Sequence, residues 1–281
     1  MRTYRLERRL SHADVDFLGE LKVAALLGLI EQAAVEASSD AGFDAEWYAR
    51  ERRIWIIRRT RLERMVPVGG TDTIEVETGI LDVRRARSLR RYLLRRGADL
   101  VARATTDWVY CDADTGRPVS VPQTVHAGLF GGAPAPVLPR APAVVVDHTR
   151  PPCELTLPVY PSHLDHVAHV NNAVYANFLE DAACALFAAQ DWSLERMLAA
   201  GGALRVNRLD AEYFGSVMAG AQLTVRSWLE DAASVPTGAD GVPTAARVTQ
   251  TVLDEDGREV LRAASGWVWR HRSPVVGAPP V

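Results

Sequence analysis

The sequence predicts an α+β fold in which an antiparallel sheet curls around one long helix, and it predicts that unit twice. Three observations carry this reading. Val174, Phe178, Ala182, Ala185 and Ala189 recur at helical spacing, an apolar stripe suited to packing on a sheet. That stripe is followed by strand-like segments separated by turn residues. The same order of segments also occurs 149 residues earlier in the chain.

The elements can be placed in order. In the first copy a strand over about Thr3–Leu10 leads into a polar loop carrying Asp16, then a helix, then strands near Arg53–Leu62, Thr73–Leu81, Leu89–Arg95 and Leu100–Tyr110. In the second copy a strand at Leu155–Val159 leads into a loop carrying Asp165. Its helix has Asn172 placed as the cap, since an Asn side chain can accept from an early orphan N–H. Strands near Leu204–Tyr213, Gln222–Leu229, Ala245–Leu253 and Glu259–Arg270 complete it.

Equivalent residues mark the duplication. Leu29-Ile30-Glu31-Gln32-Ala33-Ala34 falls on Phe178-Leu179-Glu180-Asp181-Ala182-Ala183, and Asp16 falls on Asp165. Trp108-Val109-Tyr110 pairs with Trp267-Val268-Trp269. Seven of the sixteen prolines fall from Pro134 to Pro158, around the junction of the copies, and proline neither continues helices nor donates to a ladder. The expected organisation is a first unit over 1–128, a Pro-rich extended linker over 129–153, a second unit over 154–272 and a frayed tail over 273–281. The units are expected to pack as a pseudo-dimer, in a monomer or a homodimer.

Composition excludes several classes. The 281 residues are 48% hydrophobic and 24% charged, ordinary for a globular chain with a sizeable core. The apolar run Val23–Ile30 is too short to span a bilayer, and no signal-peptide pattern follows the N-terminal charges, so a cytoplasmic protein is expected. Cys111, Cys153 and Cys184 are too scattered for a disulfide framework or a zinc cage. A net charge of −3 gives no general pull towards nucleic acid. The copies differ in charge: residues 1–126 carry 21 Lys+Arg against 19 Asp+Glu, and residues 127–281 carry 11 against 16.

The motif Asp165-x-x-x-His169-Val170-Asn171-Asn172-x-x-Tyr175, running into a helix with Glu180, resembles the hotdog-fold thioesterases. In the first copy, Arg53-Ile54-Trp55-Ile56-Ile57-Arg58-Arg59, Gly70-Thr71-Asp72 and Trp108-Val109-Tyr110 resemble the N-terminal hotdog of acyl-ACP thioesterases. The resemblance implies two tandem hotdog domains and hydrolysis of a fatty acyl thioester on acyl carrier protein (ACP) or coenzyme A. No metal or organic cofactor is implied. It carries over Asp165 and His169 as catalytic residues. The family pattern in this loop is Asp-x-Asn-x-His-Val-Asn-Asn, and Val167 stands at the first Asn. Ser216 and Val217 align where the family has a Glu, often followed by Cys, on the strand after the helix.

Thioester hydrolysis needs an activated water or nucleophile, donors for the oxyanion and a pocket for the acyl chain. Asp165 can be base or nucleophile, and His169 can orient water or polarise the carbonyl. Backbone N–H groups near Ala173, at the helix start, supply an oxyanion site favoured by the helix dipole. Asn171, Asn172, His166, Glu180 and Ser216 are supporting candidates. The bland alternative is that Asp165 and Asn172 only shape a turn and cap a helix. In the first copy Glu20 replaces His169 and Lys22-Val23 replace Asn171-Asn172, so that copy is expected to line the acyl pocket without catalysing.

Other readings stay open beside this one. His163-x-Asp165-His166 shares part of a metallo-hydrolase signature, but Pro161 occupies the first ligand position, so no metal is expected. Seven arginines fall between Arg84 and Arg96, either a solvated strand and turn or, through Arg90, Arg91 and Arg95, a docking patch for an acidic carrier or coenzyme A phosphates. Cys184 lies among alanines with no His at helical spacing and reads as packing. Val167 and Ser216 motivate a non-hydrolytic acyl-binding protein. A hotdog dehydratase would place His169 opposite an acidic residue of the first copy, such as Asp16.

Overall fold

The computed structural model describes residues 2–131, 138–146, 148–230, 234–239 and 241–272; the expected tail over 273–281 and part of the expected linker lie outside them. The first copy comprises β1 (Thr3–Arg9), α1 (Val23–Asp40), α2 (Ala45–Glu51), β2 (Arg53–Arg64), β3 (Thr73–Arg84), β4 (Arg87–Arg96), β5 (Asp99–Asp112) and α3 (Gln123–Phe130). The second comprises β6 (Cys153–Pro158), α4 (Asn172–Ala188), α5 (Leu194–Ala199), β7 (Gly202–Tyr213), β8 (Gln222–Leu229), β9 (Ala245–Leu253) and β10 (Glu259–His271). Each copy is a hotdog: a long helix lying in a curled antiparallel sheet.

The copies share one ten-stranded sheet ordered β1-β3-β4-β5-β2-β7-β10-β9-β8-β6, with β2 and β7 at the seam. Arg61 pairs with Asp210 across that seam, and these two positions are themselves 149 apart. A residue and its own copy therefore face each other, which places a pseudo-twofold axis there. The ion pairs follow the axis: Arg59 reaches Glu212 at 2.9 Å, and its image Arg208 reaches Glu63 at 2.8 Å.

α1 and α4 pack on each other in the core. Each helix carries a fully buried small side chain, Ala33 on α1 and Ala183 on α4. Around them one hydrophobic core runs through both copies, from Leu29 and Ile74 in the first to Leu179 and Val225 in the second. At burial of this extent each large aliphatic side chain contributes about 1.5–3 kcal/mol.

Three expectations change. The cap of α4 is Asn171, whose side chain accepts from the Ala173 N–H, because Asn171 still has extended backbone and Asn172 is already helical. The described part of the expected linker is strapped to the sheet: Ala141 and Val144 accept from Arg59 and Arg262, and Val144 is buried. Arg90, expected in a surface docking patch, is buried and donates to Thr78, because alternate β4 residues point to opposite faces of the sheet. Arg91 and Arg95 lie on the other, more exposed face, Arg91 3.6 Å from Glu77 and Arg95 donating to the Ala98 carbonyl. No helix among the described residues is long and apolar enough to cross a membrane.

Candidate active site

The loop before α4 is built by Asp165. Its Oδ1 accepts from the N–H groups of Val167 at 2.9 Å and His169 at 3.2 Å, and its own N–H donates to the His169 carbonyl at 2.8 Å. The first copy repeats this network, Asp16 accepting from Leu18 at 2.8 Å and Glu20 at 3.1 Å. The aspartate thus shapes the turn in both copies, whether or not a histidine follows. The turn needs a left-handed residue. The first copy uses Gly19, whereas the second holds Ala168 at φ 60°, a conformation that costs a residue with a Cβ about 1–2 kcal/mol.

Other predicted residues disperse around the loop. His163 is structural: its Nδ1 accepts from the Tyr160 N–H at 3.1 Å and its ring meets Phe178 edge-on. His166 is exposed and His169 half-buried. No cluster of His, Cys, Asp and Glu able to hold a metal ion occurs among the described residues. Ser216 is exposed in the connection between β7 and β8 rather than on a strand, because β7 ends at Tyr213. Its neighbour Val217 does reach the loop, accepting from the Val170 N–H at 2.9 Å. Burial raises the Cys184 thiol to about 11, consistent with packing.

The α4 N-terminus and α1 meet at a small cavity, with about 10 Å³ open to the centre of a water, room for about one molecule. Glu31, Tyr92 and Trp108 of the first copy and Asn172, Ala173 and Tyr213 of the second line it. The Ala173 N–H, expected as an oxyanion donor, is taken by the Asn171 cap at 2.7 Å. The Asn172 N–H, at the first helical position, has no partner among the described residues and becomes the available first-turn donor. On the opposite wall the Tyr92 hydroxyl lies 2.8 Å from the Thr106 hydroxyl, and the Trp108 indole donates to Thr106 at 2.6 Å.

Glu31 brings a carboxyl group to this cavity. Burial raises its pKa above the ordinary value, and the nearby Asp165 charge pushes the same way; the Asn171 side chain and His166 pull it down. These four groups come from α1 and from the loop that ends at the α4 cap, and two of them, Asn171 and His166, were named from the motif as supporting residues. Sequence reasoning placed Glu31 on the same helix face as Glu180 but gave it no part in the site.

The pseudo-twofold image of this site is filled with ion pairs. Glu180, expected to support the motif loop, instead lies 2.9 Å from Arg205, and Arg205 lies 2.8 Å from Asp16. Arg64 reaches Glu20 at 3.3 Å and donates to the Val206 carbonyl. At the 149-residue offset Asp16 corresponds to Asp165, Glu20 to His169, Glu180 to Glu31, Arg64 to Tyr213 and Arg205 to Ile56. One image therefore carries two buried arginines where the other carries a tyrosine and an isoleucine. The acidic first-copy group beside the motif loop is Glu31, whereas Asp16, the example named for a dehydratase arrangement, is held by Arg205.

Residues 2–129 match the acyl-ACP thioesterase N-terminal domain. No curated protein sequence matches the chain. A Lactobacillus plantarum structure assigned as an oleoyl thioesterase superposes with TM-score 0.75 at 18% identity, over 95% of this chain and 96% of that one. The 12:0-ACP thioesterase from Umbellularia californica superposes with TM-score 0.73 at 17% identity, over 95% and 94%. An acyl-ACP thioesterase from Bacteroides thetaiotaomicron gives TM-score 0.71 at 17% identity, over 95% and 98%. The first half of the chain thus matches the acyl-ACP thioesterase N-terminal domain, and the whole chain shares the tandem hotdog fold of these thioesterase structures.

Proposed function

We propose that the chain is a cytoplasmic enzyme that releases fatty acids from acyl-ACP, with coenzyme A thioesters as the alternative carrier substrate. The observation that carries this is the cavity between α1 and the N-terminus of α4, walled by both copies, with Glu31 in its lining near enough to Asp165 to feel that charge. A thioester carbonyl drawn up to the start of α4 beside this cavity has the Asn172 N–H and the positive end of the α4 dipole for the charge that develops on its oxygen. Leu27, Ile30 and Ile57 in the same lining supply apolar contact for the start of the acyl chain.

Asp165 has one carboxylate oxygen committed to the turn. Its second oxygen and its charge act on the site beside it, and His169 orients the water or the thioester. Arg91 and Arg95 are the carrier-facing candidates that remain after Arg90 is found buried. The seam makes one chain a complete pseudo-dimer, so the monomer is sufficient for the chemistry.

A panel of acyl-ACP and acyl-CoA substrates of graded chain length tests this. Wild-type protein should hydrolyse at least one member, and Asp165→Asn and His169→Ala should lower turnover without unfolding the protein. Saturable acyl-thioester binding without turnover would instead favour an accessory acyl-binding protein, the reading that Val167 and Ser216 motivate.

A further inference from the structure

We propose that Glu31 is the general base of the hydrolysis, holding the attacking water in the cavity opposite the start of α4. The assignment rests on the hydrolase reading above and adds to it a residue from the first copy, outside the motif loop. Its basis is an asymmetry across the pseudo-twofold axis. Glu31 and Glu180 occupy the same position on their helices, and both carboxyl groups turn towards the loop of the opposite copy. Glu180 is neutralised there by Arg205 at 2.9 Å. The position equivalent to Arg205 is Ile56, and Glu31 enters no ion pair among the described residues.

Glu31 is half-buried, and a carboxylate held there without an ion pair is costly, so a purely structural position would favour glutamine or an apolar residue. What surrounds Glu31 instead is suited to a reacting water. The cavity it lines has room for about one. Asn172, at the first helical position of α4, lines the same cavity from the opposite copy.

The step balances without any further reagent. Glu31 takes a proton from the water as its oxygen bonds to the thioester carbonyl carbon, and the carbonyl oxygen becomes an oxyanion facing the Asn172 N–H. When that intermediate collapses the C–S bond breaks, and the proton held by Glu31 passes to the departing sulfur. The products are the fatty acid and the free carrier thiol, and Glu31 returns to its carboxylate form.

Glu31→Gln keeps the shape of the side chain and removes its basicity. With the acyl-ACP substrate that wild type hydrolyses best, kcat should fall by about 10²–10⁴-fold, with KM changed by less than about threefold. Glu31→Asp, one methylene shorter, should lose at least about tenfold in kcat with KM retained, a geometric penalty of the kind misplacement produces. It decides the matter if the Gln variant does not fold. Glu180→Gln, at the image position, should lower the melting temperature and leave kcat unchanged. A kcat for Glu31→Gln, or for Glu31→Asp if only that variant folds, within twofold of an active wild type would overturn the assignment of Glu31 alone. Wild type inert on every substrate would overturn the hydrolase reading, and this assignment with it.

Discussion

Arg205 of the second copy holds Asp16 of the first at 2.8 Å, with both side chains only 5% exposed. The contact ties the two copies through charge at a depth where an unpaired ion is expensive. The same guanidinium serves Glu180, so one cation neutralises two buried carboxylates from two elements.

Arg205→Ala should therefore destabilise the protein by about 3–5 kcal/mol, the cost typical of breaking a buried pair from one side. Urea unfolding measures it directly. Replacing all three groups at once, with Arg205→Met, Asp16→Asn and Glu180→Gln, should recover much of that loss. A triple variant no more stable than Arg205→Ala would show that the charges themselves, rather than their mutual satisfaction, hold this region.

Glu31 should make stability depend on pH. Burial and the Asp165 charge lift its folded pKa above the ordinary 4.5. The folded state then binds the proton more tightly than the unfolded state, so this contribution is full below about pH 4.5 and is lost as pH rises through the raised value. Glu31→Gln removes the loss. The variant should gain on wild type between pH 4 and pH 8 in parallel melts, and a gain that shrank with rising pH would contradict the sign.

Ala168 carries backbone strain that its counterpart Gly19 avoids. Ala168→Gly should stabilise the protein by about 1 kcal/mol by relieving the left-handed conformation. Thermal melts at a single pH are enough to check it. An unchanged or lower melting temperature would mean that the strain is already relieved by the surrounding hydrogen bonds.

The arginines of β4 should separate by face. Arg90→Glu should damage folding, because it puts an acid into a buried site without a cation. Arg91→Glu with Arg95→Glu should leave the fold intact and raise KM for acyl-ACP at low salt, with little change in kcat and a smaller effect as salt screens the contact. A KM unaffected at low ionic strength would remove this face from carrier docking.

The duplication, the order of elements and the Asp165–His169 loop were all legible from the residues, since a 149-residue repeat preserves spacing even where identity has faded. What the sequence hid was register across the seam. Which glutamate faces which loop depends on β2 pairing with β7 about an axis at Arg61 and Asp210, and no local pattern encodes that pairing. For the same reason Glu180 was assigned to its own copy's loop, when it points to the other's. The cap falls on Asn171 rather than the expected Asn172 because both are polar and adjacent, and one residue of helix entry decides between them. Arg90 was hidden by its neighbours: an arginine-rich strand reads as solvated, although alternation buries every second side chain.

The site takes Glu31 from one copy and Asn172 from the other, and the seam that brings them together lies within a single polypeptide. A pocket assembled between separate subunits is diluted away when the protein is scarce, whereas here the tether fixes the local concentration of each half at the other. Specific activity should therefore be independent of enzyme concentration. The fusion also frees the two halves to diverge, since a change in one is no longer imposed on its partner, and the ion-paired image of the site is where that freedom has been used.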